Sequence, residues 1–271
     1  MQITVTTWNI NSVRLRVNLV ARFIKAVRPD ILCLQETKCP DDRFPLKRFK
    51  RLGYEHVALN GQKGYHGVVV VSRLPFETTS KESFCGKSDC RHVAAVFGAA
   101  AGLSTPITLH NFYVPAGGDL PDPALNSKFA HKLAFLDEMQ AAAMLRPAAA
   151  ERAILLGDLN VAPLEHDVWS HQQMLRVVSH TPIECEKLNR ARAAGGWIDS
   201  MRVHTPEPTK LYTWWSYRAP DWERADKGRR LDHIWTSPAL AANVAEIKIA
   251  KAYRAAARPS DHVPVTAIIA V

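Results

Sequence analysis

The chain has 271 residues and carries 35 Lys and Arg against 26 Asp and Glu, a formal charge of +9 at pH 7. This excess predicts an acidic macromolecule as the partner, with nucleic acid favoured over anionic lipid. Five cysteines without a CxxC pair argue against a disulfide framework. The lack of a run of about twenty uncharged apolar residues argues against a membrane span.

Cysteine use and the first residues bear on cellular location. Cys85, Cys90 and His92 have neither the spacing nor the second ligand pair of a zinc knuckle. Residues 3–8 begin a strand-like run at once, without the basic and apolar regions of a signal peptide. We therefore expect a reducing compartment, the cytoplasm, with association to the nucleoid if the source is bacterial.

The opening of the chain predicts a β-α-β unit. Apolar residues recur at helical spacing over residues 14–28, Pro29 ends that stripe, and residues 31–34 have the pattern of a buried strand. Two strands joined through a helix normally pair in parallel.

Strand-like runs continue to the end of the chain. They fall at residues 68–71, 93–97, 107–109, 153–156, 211–215, 231–235, 244–249 and 263–269, and a second amphipathic helix covers 129–143. Strands outnumber helices, which predicts an α/β fold of two packed sheets with helices outside. The charged stretch 219–228, which includes Pro220, predicts a surface loop over the site.

Polar side chains close five of the strand-like runs. They stand at residues 8–11, 34–38, 111–115, 157–160 and 260–262. Side chains at the ends of strands in one layered fold converge at a common edge, so positions far apart in sequence meet there. Because these clusters span almost the whole chain, we expect one domain, 1–271.

These clusters supply carboxylate and amide oxygens and one imidazole, which suit Mg²⁺ or Mn²⁺ and phosphate chemistry better than zinc or iron. Glu36 is the strongest candidate ligand because it stands where a buried strand ends, although alone it could equally be a solvated glutamate. Asp158 and Asn160 alternate along a strand exit, so one can activate water while the other donates to a phosphate oxygen. A lone Gly-Asp pair is more often a turn.

Asp261 and His262 are adjacent on an extended segment and therefore face opposite ways. We expect Asp261 to reach the metal and the imidazole to contact the phosphate. A histidine in that role needs a carboxylate to fix its tautomer, and Asp232 is the predicted partner. The alternative for Asp232 is a cap or a salt bridge to a neighbouring arginine.

The motifs together resemble those of the exonuclease III family of abasic-site endonucleases. The match follows the chain in order, with WNIN at 8–11, LQETK at 34–38, GYHG at 64–67, YVP at 113–115, GDLN at 157–160, RLD at 230–232 and SDH at 260–262. Each motif alone is weak, but seven in sequence are specific.

The resemblance implies a four-layered α/β sandwich of the endonuclease/exonuclease/phosphatase superfamily, with two mixed sheets between helices. It implies Mg²⁺-dependent hydrolysis of DNA on the 5′ side of an abasic site, leaving a 3′-hydroxyl and a 5′-deoxyribose phosphate. The family also commonly acts as a 3′→5′ exonuclease and as a 3′-phosphatase or phosphodiesterase. The expected partner is double-stranded DNA with abasic sites or blocked 3′ ends, bound by a monomer.

The resemblance also assigns roles residue by residue. Asn9, Glu36 and Asp261 lie around the metal, with Asp158 and Asn160 as possible ligands of a second ion. Asp158 activates water, and Asp232 stands behind His262. The scissile phosphate is held by Tyr113, Asn160 and His262.

DNA recognition is assigned to Asn11, Arg91, Trp214 and Trp215. The segment 212–215 resembles the aromatic lining of the pocket for the base-free sugar, and we expect one of its two tryptophans to be core instead. A flat apolar pocket favours a sugar without its base, because an intact nucleotide must first be unstacked.

Two departures from the motifs bear on the balance of activities. Ala116 replaces an amide that follows the YVP motif, and the loop 224–228 lacks an asparagine. Two other functions stay open: a superfamily phosphoesterase with a non-DNA substrate, and a DNA-binding protein on an inactive nuclease scaffold.

Overall fold

The computed structural model describes residues 1–219 and 221–271. Within them the chain forms fourteen strands and eight α-helices. The strands are β1 Gln2–Asn9, β2 Ile31–Gln35, β3 His56–Asn60, β4 Val68–Ser72, β5 Thr78–Ser80, β6 His92–Phe97, β7 Ile107–Tyr113, β8 Arg152–Asp158, β9 Ile198–Asp199, β10 Trp214–Trp215, β11 Gly228–Arg229, β12 Asp232–Thr236, β13 Val244–Ile249 and β14 Val265–Ala270. The helices are α1 Val13–Val27, α2 Leu46–Lys50, α3 Ser127–Ala141, α4 His171–Met174, α5 Pro182–Ala194, α6 Ser200–His204, α7 Trp222–Ala225 and α8 Pro238–Ala241.

Two six-stranded mixed sheets form the centre of the protein. Their strand orders are β13-β14-β1-β2-β4-β3 and β5-β6-β7-β8-β12-β9. Each sheet has a parallel pair at its centre, β1 with β2 and β7 with β8, and the remaining pairs are antiparallel. The predicted parallel β-α-β opening is therefore confirmed.

The sheets pack face to face between two outer layers of helices. Val5 and Val70 of the first sheet and Leu109 and Ile154 of the second lie in one buried cluster between them. Helix α1 covers the outside of the first sheet, and α3 and α5 cover the outside of the second. This is the predicted four-layered α/β sandwich.

The first helix shows how local sequence sets these elements. The apolar side chains of α1 form one stripe, which buries Leu19 and Phe23 against the sheet. Arg28 takes a left-handed backbone with φ of 52°, and its N–H caps the carbonyl of Ile24. Pro29 follows and cannot continue a helix, so the chain turns directly into β2.

Two sequence expectations about strands were wrong in detail. Residues 260–262 do not close a strand but precede β14, and they reach the same edge because β14 runs antiparallel to β1. The run 211–215 forms a strand only at Trp214 and Trp215, which pair with β11, whereas Leu211 donates to the His166 carbonyl outside both sheets.

The stretch 219–228 contains the short helix α7 instead of a plain loop, and Pro220 lies outside the described residues. No helix in the part of the chain that the structure describes combines the length and apolarity needed to cross a membrane.

Buried polar side chains join the two sheets just behind their common edge. Gln35 of β2 donates from Nε2 to Thr7 Oγ1 at 2.9 Å and to Asn111 Oδ1 at 2.7 Å. Asn111 of β7 in turn donates from Nδ2 to the Val69 carbonyl at 3.0 Å. Because an unmade bond at a buried polar group is costly, this network fixes how the strand ends of one sheet meet those of the other.

A buried ion network holds the segment that leads into β12. Arg230 donates from Nε to Asp167 Oδ1 at 2.7 Å and from Nη1 to Asp199 Oδ2 at 2.7 Å. Arg202 also pairs with Asp167 at 2.5 Å. Burial raises the pKa of Asp167, but the two guanidinium groups outweigh it and lower that pKa below its usual value.

We expect Asp167→Asn to lower the free energy of unfolding by about 3–5 kcal/mol, because it leaves two buried arginines short of a counter-charge. Because folding lowers the pKa of Asp167, its carboxylate contributes fully to stability at pH values above its pKa in the unfolded chain, which is about 4. This contribution is lost as the pH falls through the pKa of the folded state. Urea unfolding at several pH values measures both effects. Asp137→Asn, which breaks an exposed pair with Lys187, is the matched control and should change stability by less than about 1 kcal/mol.

Candidate active site

Polar groups from six strands converge on one cavity. The ends of β1, β2, β7 and β8 and the starts of β12 and β14 lie at the same edge of the sandwich. The cavity there has a volume of about 560 Å³ and is open to solvent. Its lining includes Glu36, Asn160, Trp214, Arg229, Asp261 and His262.

Glu36 is held on a strained backbone by three side chains. Its φ of 49° lies in the left-handed region, where a residue other than glycine costs about 1–3 kcal/mol. Oε1 accepts from Asn9 Nδ2 and from the Tyr113 hydroxyl, both at 2.9 Å, and Oε2 pairs with Lys38 Nζ at 2.8 Å. Burial raises the pKa of Glu36, but Lys38 and the bond from Asn9 outweigh it and lower that pKa.

Asn9 orients two carboxylates with one amide group. Its Nδ2 donates to Glu36 Oε1 and, at 2.8 Å, to Asp158 Oδ2. Its Oδ1 accepts from the backbone N–H of Asn11 at 3.0 Å. In this arrangement Asn9 faces the acids with its N–H groups, so it positions the carboxylates through hydrogen bonds.

Asp158, His262 and Asp232 form a buried line of carboxylate, imidazole and carboxylate. His262 Nδ1 donates to Asp232 Oδ2 at 2.8 Å, and its Nε2 lies 3.6 Å from Asp158 Oδ2. Register pairs Asp232 with Asp158 across β12 and β8, which fixes both ends of the line on neighbouring strands. The sequence expectation that Asp232 partners His262 agrees with this geometry.

The two carboxylates keep His262 protonated. Burial lowers the pKa of its imidazole, but Asp232 and Asp158 outweigh burial and raise it to about 10. Burial raises the pKa of Asp158, and the neighbouring His262 charge opposes that rise. Because the two groups lie 3.6 Å apart, the charge of each shifts the pKa of the other.

Asn160 sits on a second strained turn, with φ of 55°. Its Nδ2 donates to the Val114 carbonyl at 2.9 Å and to Asp158 Oδ2 at 3.1 Å. Beneath it, the fully buried Lys132 donates to the Asn160 carbonyl at 2.7 Å and pairs with Glu184 at 2.5 Å. Lys132 therefore anchors this turn from the core.

Asp261 faces the same cavity from the loop before β14. Oδ1 accepts from Asn11 Nδ2 at 3.2 Å, and Oδ2 accepts from Trp214 Nε1 at 2.9 Å. Burial raises the pKa of Asp261, but His262 and these two bonds outweigh it and lower that pKa. The group is therefore an anionic oxygen donor in the cavity that Glu36 also lines.

The donor set fits a hard divalent cation. Carboxylates of Glu36 and Asp261 line the cavity together, and the free cysteines of the described chain lie outside its lining. Oxygen and nitrogen atoms of Asp158, Asp232 and His262 also lie within 4.8 Å of one another. Since both nitrogens of His262 in this trio face carboxylates, Glu36 and Asp261 are the residues that could hold such a cation.

The residues predicted to contact DNA differ in how exposed their side chains are. Trp214 lines the cavity, whereas Trp215 is 2% exposed and packs with Tyr212 and Val263, so one of the two tryptophans is core as expected. Arg91 is 6% exposed, bonds Asp89 and lies 5.0 Å from the centre of the Tyr113 ring. DNA contact therefore stays a prediction for these residues, and Trp214 is the one whose position in the cavity suits it best.

Sequence reasoning missed Lys38, Lys132 and Arg229. Lys38 lies inside a quoted motif, so its position two residues after Glu36 was the available signal. Lys132 stands among apolar residues on the buried stripe of a predicted helix, which is unusual for lysine. Arg229 gave no comparable signal, because the sequence alone does not distinguish it from Arg230, the arginine that follows it directly.

Comparison with known proteins gives a consistent result. The sequence profile described as the Endonuclease/Exonuclease/phosphatase family matches residues 6–262. Exodeoxyribonuclease III of Haemophilus influenzae is 29% identical, over 96% of this chain and 97% of its own length. An AP endonuclease structure from Archaeoglobus fulgidus has a TM-score of 0.89 with 30% identity, covering 99% of this chain and all of its own. The 3′ phosphatase NExo from Neisseria, solved with a product DNA hairpin, has a TM-score of 0.82 with 31% identity, covering 99% of this chain and all of its own.

We expect Asp232→Asn to lower the pKa of His262 strongly towards its ordinary value of 6.5, because the nearer of two stabilising charges is removed. NMR titration of the imidazole in metal-free protein measures this shift. His110, a buried histidine on β7, is the internal control and should titrate unchanged. An unaltered His262 titration would show that Asp232 does not hold the proton.

Proposed function

Because the chain belongs to the endonuclease/exonuclease/phosphatase family, we propose that it is a DNA-repair hydrolase that uses Mg²⁺ or Mn²⁺ to cut DNA on the 5′ side of abasic sites. The names of the relatives support a nuclease of the exonuclease III type. The observation that carries the proposal is the buried line Asp158, His262 and Asp232 opening into a cavity that also contains Glu36 and Asp261.

Asp158 is the proposed general base. Its carboxylate is held by Asn9 and Asn160 and lies beside an imidazole that stays protonated. A water molecule can give its proton to Asp158 while its oxygen attacks phosphorus. The P–O3′ bond then breaks, the 3′ oxygen takes a proton, and the phosphate leaves with the abasic sugar.

The protonated His262 is the proposed anchor for the scissile phosphate. Its positive charge is available because Asp232 raises the pKa of the ring. The Tyr113 hydroxyl, whose own pKa is raised by burial and by Glu36, remains a hydrogen-bond donor at the same corner. Both groups can stabilise negative charge as it grows on the phosphate oxygens.

Glu36 and Asp261 would hold the divalent cation, with Asn9 orienting Glu36. When bound, such a cation neutralises charge on the phosphate and on the departing oxygen. A second ion near Asp158 and Asn160 is a further possibility that the resemblance raises. We propose a monomer acting on double-stranded DNA, including duplexes with blocked 3′ ends.

The first test is cleavage of a duplex carrying one tetrahydrofuran abasic analogue, assayed with Mg²⁺ and with EDTA. We expect incision 5′ to the analogue that EDTA abolishes. Parallel assays on blunt duplex and on a 3′-phosphate end rank the exonuclease and phosphatase activities. Cleavage of phosphoinositides or sphingomyelin but not of DNA would favour a superfamily phosphoesterase with another substrate.

We expect Asp158→Asn to lower kcat by about 10²–10⁴-fold, because the general base is lost while the surrounding shape is kept. Glu36→Gln should lower activity and raise the Mg²⁺ concentration needed for half-maximal rate. Asp137→Asn, an exposed acid outside the cavity, should leave kcat unchanged. Full activity of Asp158→Asn with unchanged Mg²⁺ dependence in Glu36→Gln would contradict the assignment, and an inert wild type that binds duplex would indicate a DNA-binding scaffold.

A further inference from the structure

Arg229 stands in a row with two groups of the proposed site. Trp214 pairs in register with Arg229 on one side and forms a bridge with His262 on the other. Residues directly opposite each other on antiparallel strands point to the same face, with Cα atoms about 4.5–5.5 Å apart. The three side chains therefore cross the cavity floor in the order His262, Trp214, Arg229, over a backbone distance of about 10 Å.

The guanidinium of Arg229 makes only neutral contacts. Nη1 donates to the Val178 carbonyl at 3.2 Å and to Ser179 Oγ at 2.9 Å, and the group lies 4.8 Å from the centre of the Trp214 ring. Its Nε is buried without a hydrogen-bond partner. Within residues 1–219 and 221–271, no carboxylate lies within 4.0 Å of its nitrogens.

The next residue, Arg230, shows the carboxylate partners that a buried arginine normally has. Arg230 is bonded to both Asp167 and Asp199. A largely buried charge without a directly paired carboxylate is costly, and burial lowers the pKa of Arg229 to about 10, against the opposing effect of the more distant Glu184. A ligand anion that enters the cavity would give this guanidinium the direct counter-charge that it lacks.

The position of Arg229 determines which part of a DNA end it can meet. The scissile phosphate is placed at His262 by the proposed function, on which this step rests. Trp214 and Arg229 line the cavity in the row that begins at His262, so the group attached to that phosphate on the far side from the leaving 3′ oxygen has room to extend over Trp214 towards Arg229. Arg229 also covers one face of the Trp214 indole. The pocket is therefore charged where the sequence had predicted a flat apolar surface.

We infer that Arg229 is a specificity-determining residue that selects 3′ remnants carrying a second oxyanion beyond the scissile phosphate. The shared chemistry is an oxygen anion held by a planar guanidinium. Its source is either the carboxylate of an oxidised sugar fragment or a phosphate on the far side of a base-free sugar.

The reaction is the same hydrolysis in both cases. Water oxygen bonds to phosphorus, the bond from phosphorus to the 3′ oxygen of the upstream nucleotide breaks, and that oxygen takes a proton. The remnant leaves with its phosphate, and Arg229 contacts only the second anion.

The test compares matched 3′ ends that differ in that charge. One pair is phosphoglycolate against the neutral phosphohydroxyethyl end. The other is a terminal base-free deoxyribose with and without its own 3′-phosphate. A hydrogen bond to a charged group stabilises by about 1.5–3 kcal/mol, so we expect wild-type kcat/KM to favour the anionic member of at least one pair by about 10-fold or more.

Arg229→Gln should bring that ratio to about 1, chiefly by slowing the anionic substrate, and Arg229→Lys should keep part of it. The matched control is Arg218→Gln, which removes an exposed arginine from the same cavity and should slow both members of a pair by the same factor. The pair that responds identifies the source of the anion. Thermal melting checks that each variant folds. If Arg229→Gln fails to fold, the wild-type ratio alone still tests the inference.

A wild-type ratio near 1 in both pairs, or an unchanged ratio in folded Arg229→Gln, would overturn the inference while leaving the proposed hydrolase intact. Equal loss on all ends in Arg229→Gln would also overturn it and would assign Arg229 to the scissile phosphate. A wild-type enzyme inert on every DNA end but active on another phosphodiester would instead refute the proposed function.

Discussion

The face-to-face packing of two mixed sheets is the constraint on which the site depends. Each sheet has a parallel strand pair at its centre, and both pairs end at the same edge. Residues 250 positions apart, such as Asn11 and Asp261, thereby become hydrogen-bond partners. The buried bond from Gln35 to Asn111 fixes this alignment, because sliding one sheet over the other would leave polar atoms without partners inside the core.

This arrangement concentrates acidic groups in a small space, and the fold balances them with fixed donors. Asn9 divides its amide between Glu36 and Asp158, and the protonated His262 lies between Asp158 and Asp232. Left-handed backbone at Glu36 and Asn160 is the conformational cost of aiming both groups into one cavity. The site is therefore organised before any substrate arrives, which is what electrostatic stabilisation of a transition state requires.

Much of this could be read from the sequence because strand periodicity and strand-end chemistry are local signals. The fold class, the parallel opening and the pairing of Asp232 with His262 follow from such patterns. The roles of Lys132 and Arg229 could not be read from the sequence. Lys132 depends on having a buried partner and Arg229 on lacking one, and only tertiary packing decides this. The direction of residues 260–262 was misjudged for a related reason, since sequence alone does not tell whether a polar segment follows or precedes its strand.

Lys38 gives the protein a built-in cation at the mouth of the site. Its ammonium bonds Glu36 Oε2 and, at 2.6 Å, Asn11 Oδ1. A divalent ion held by Glu36, as proposed, would take the place of this existing positive charge. The folded state needs no ion to relieve repulsion at this corner, and added ion stabilises it only through the surplus affinity left after that exchange. Under the proposed function, binding of the ion would therefore be separable from folding, because the charge of Glu36 is already balanced by Lys38 in the folded chain.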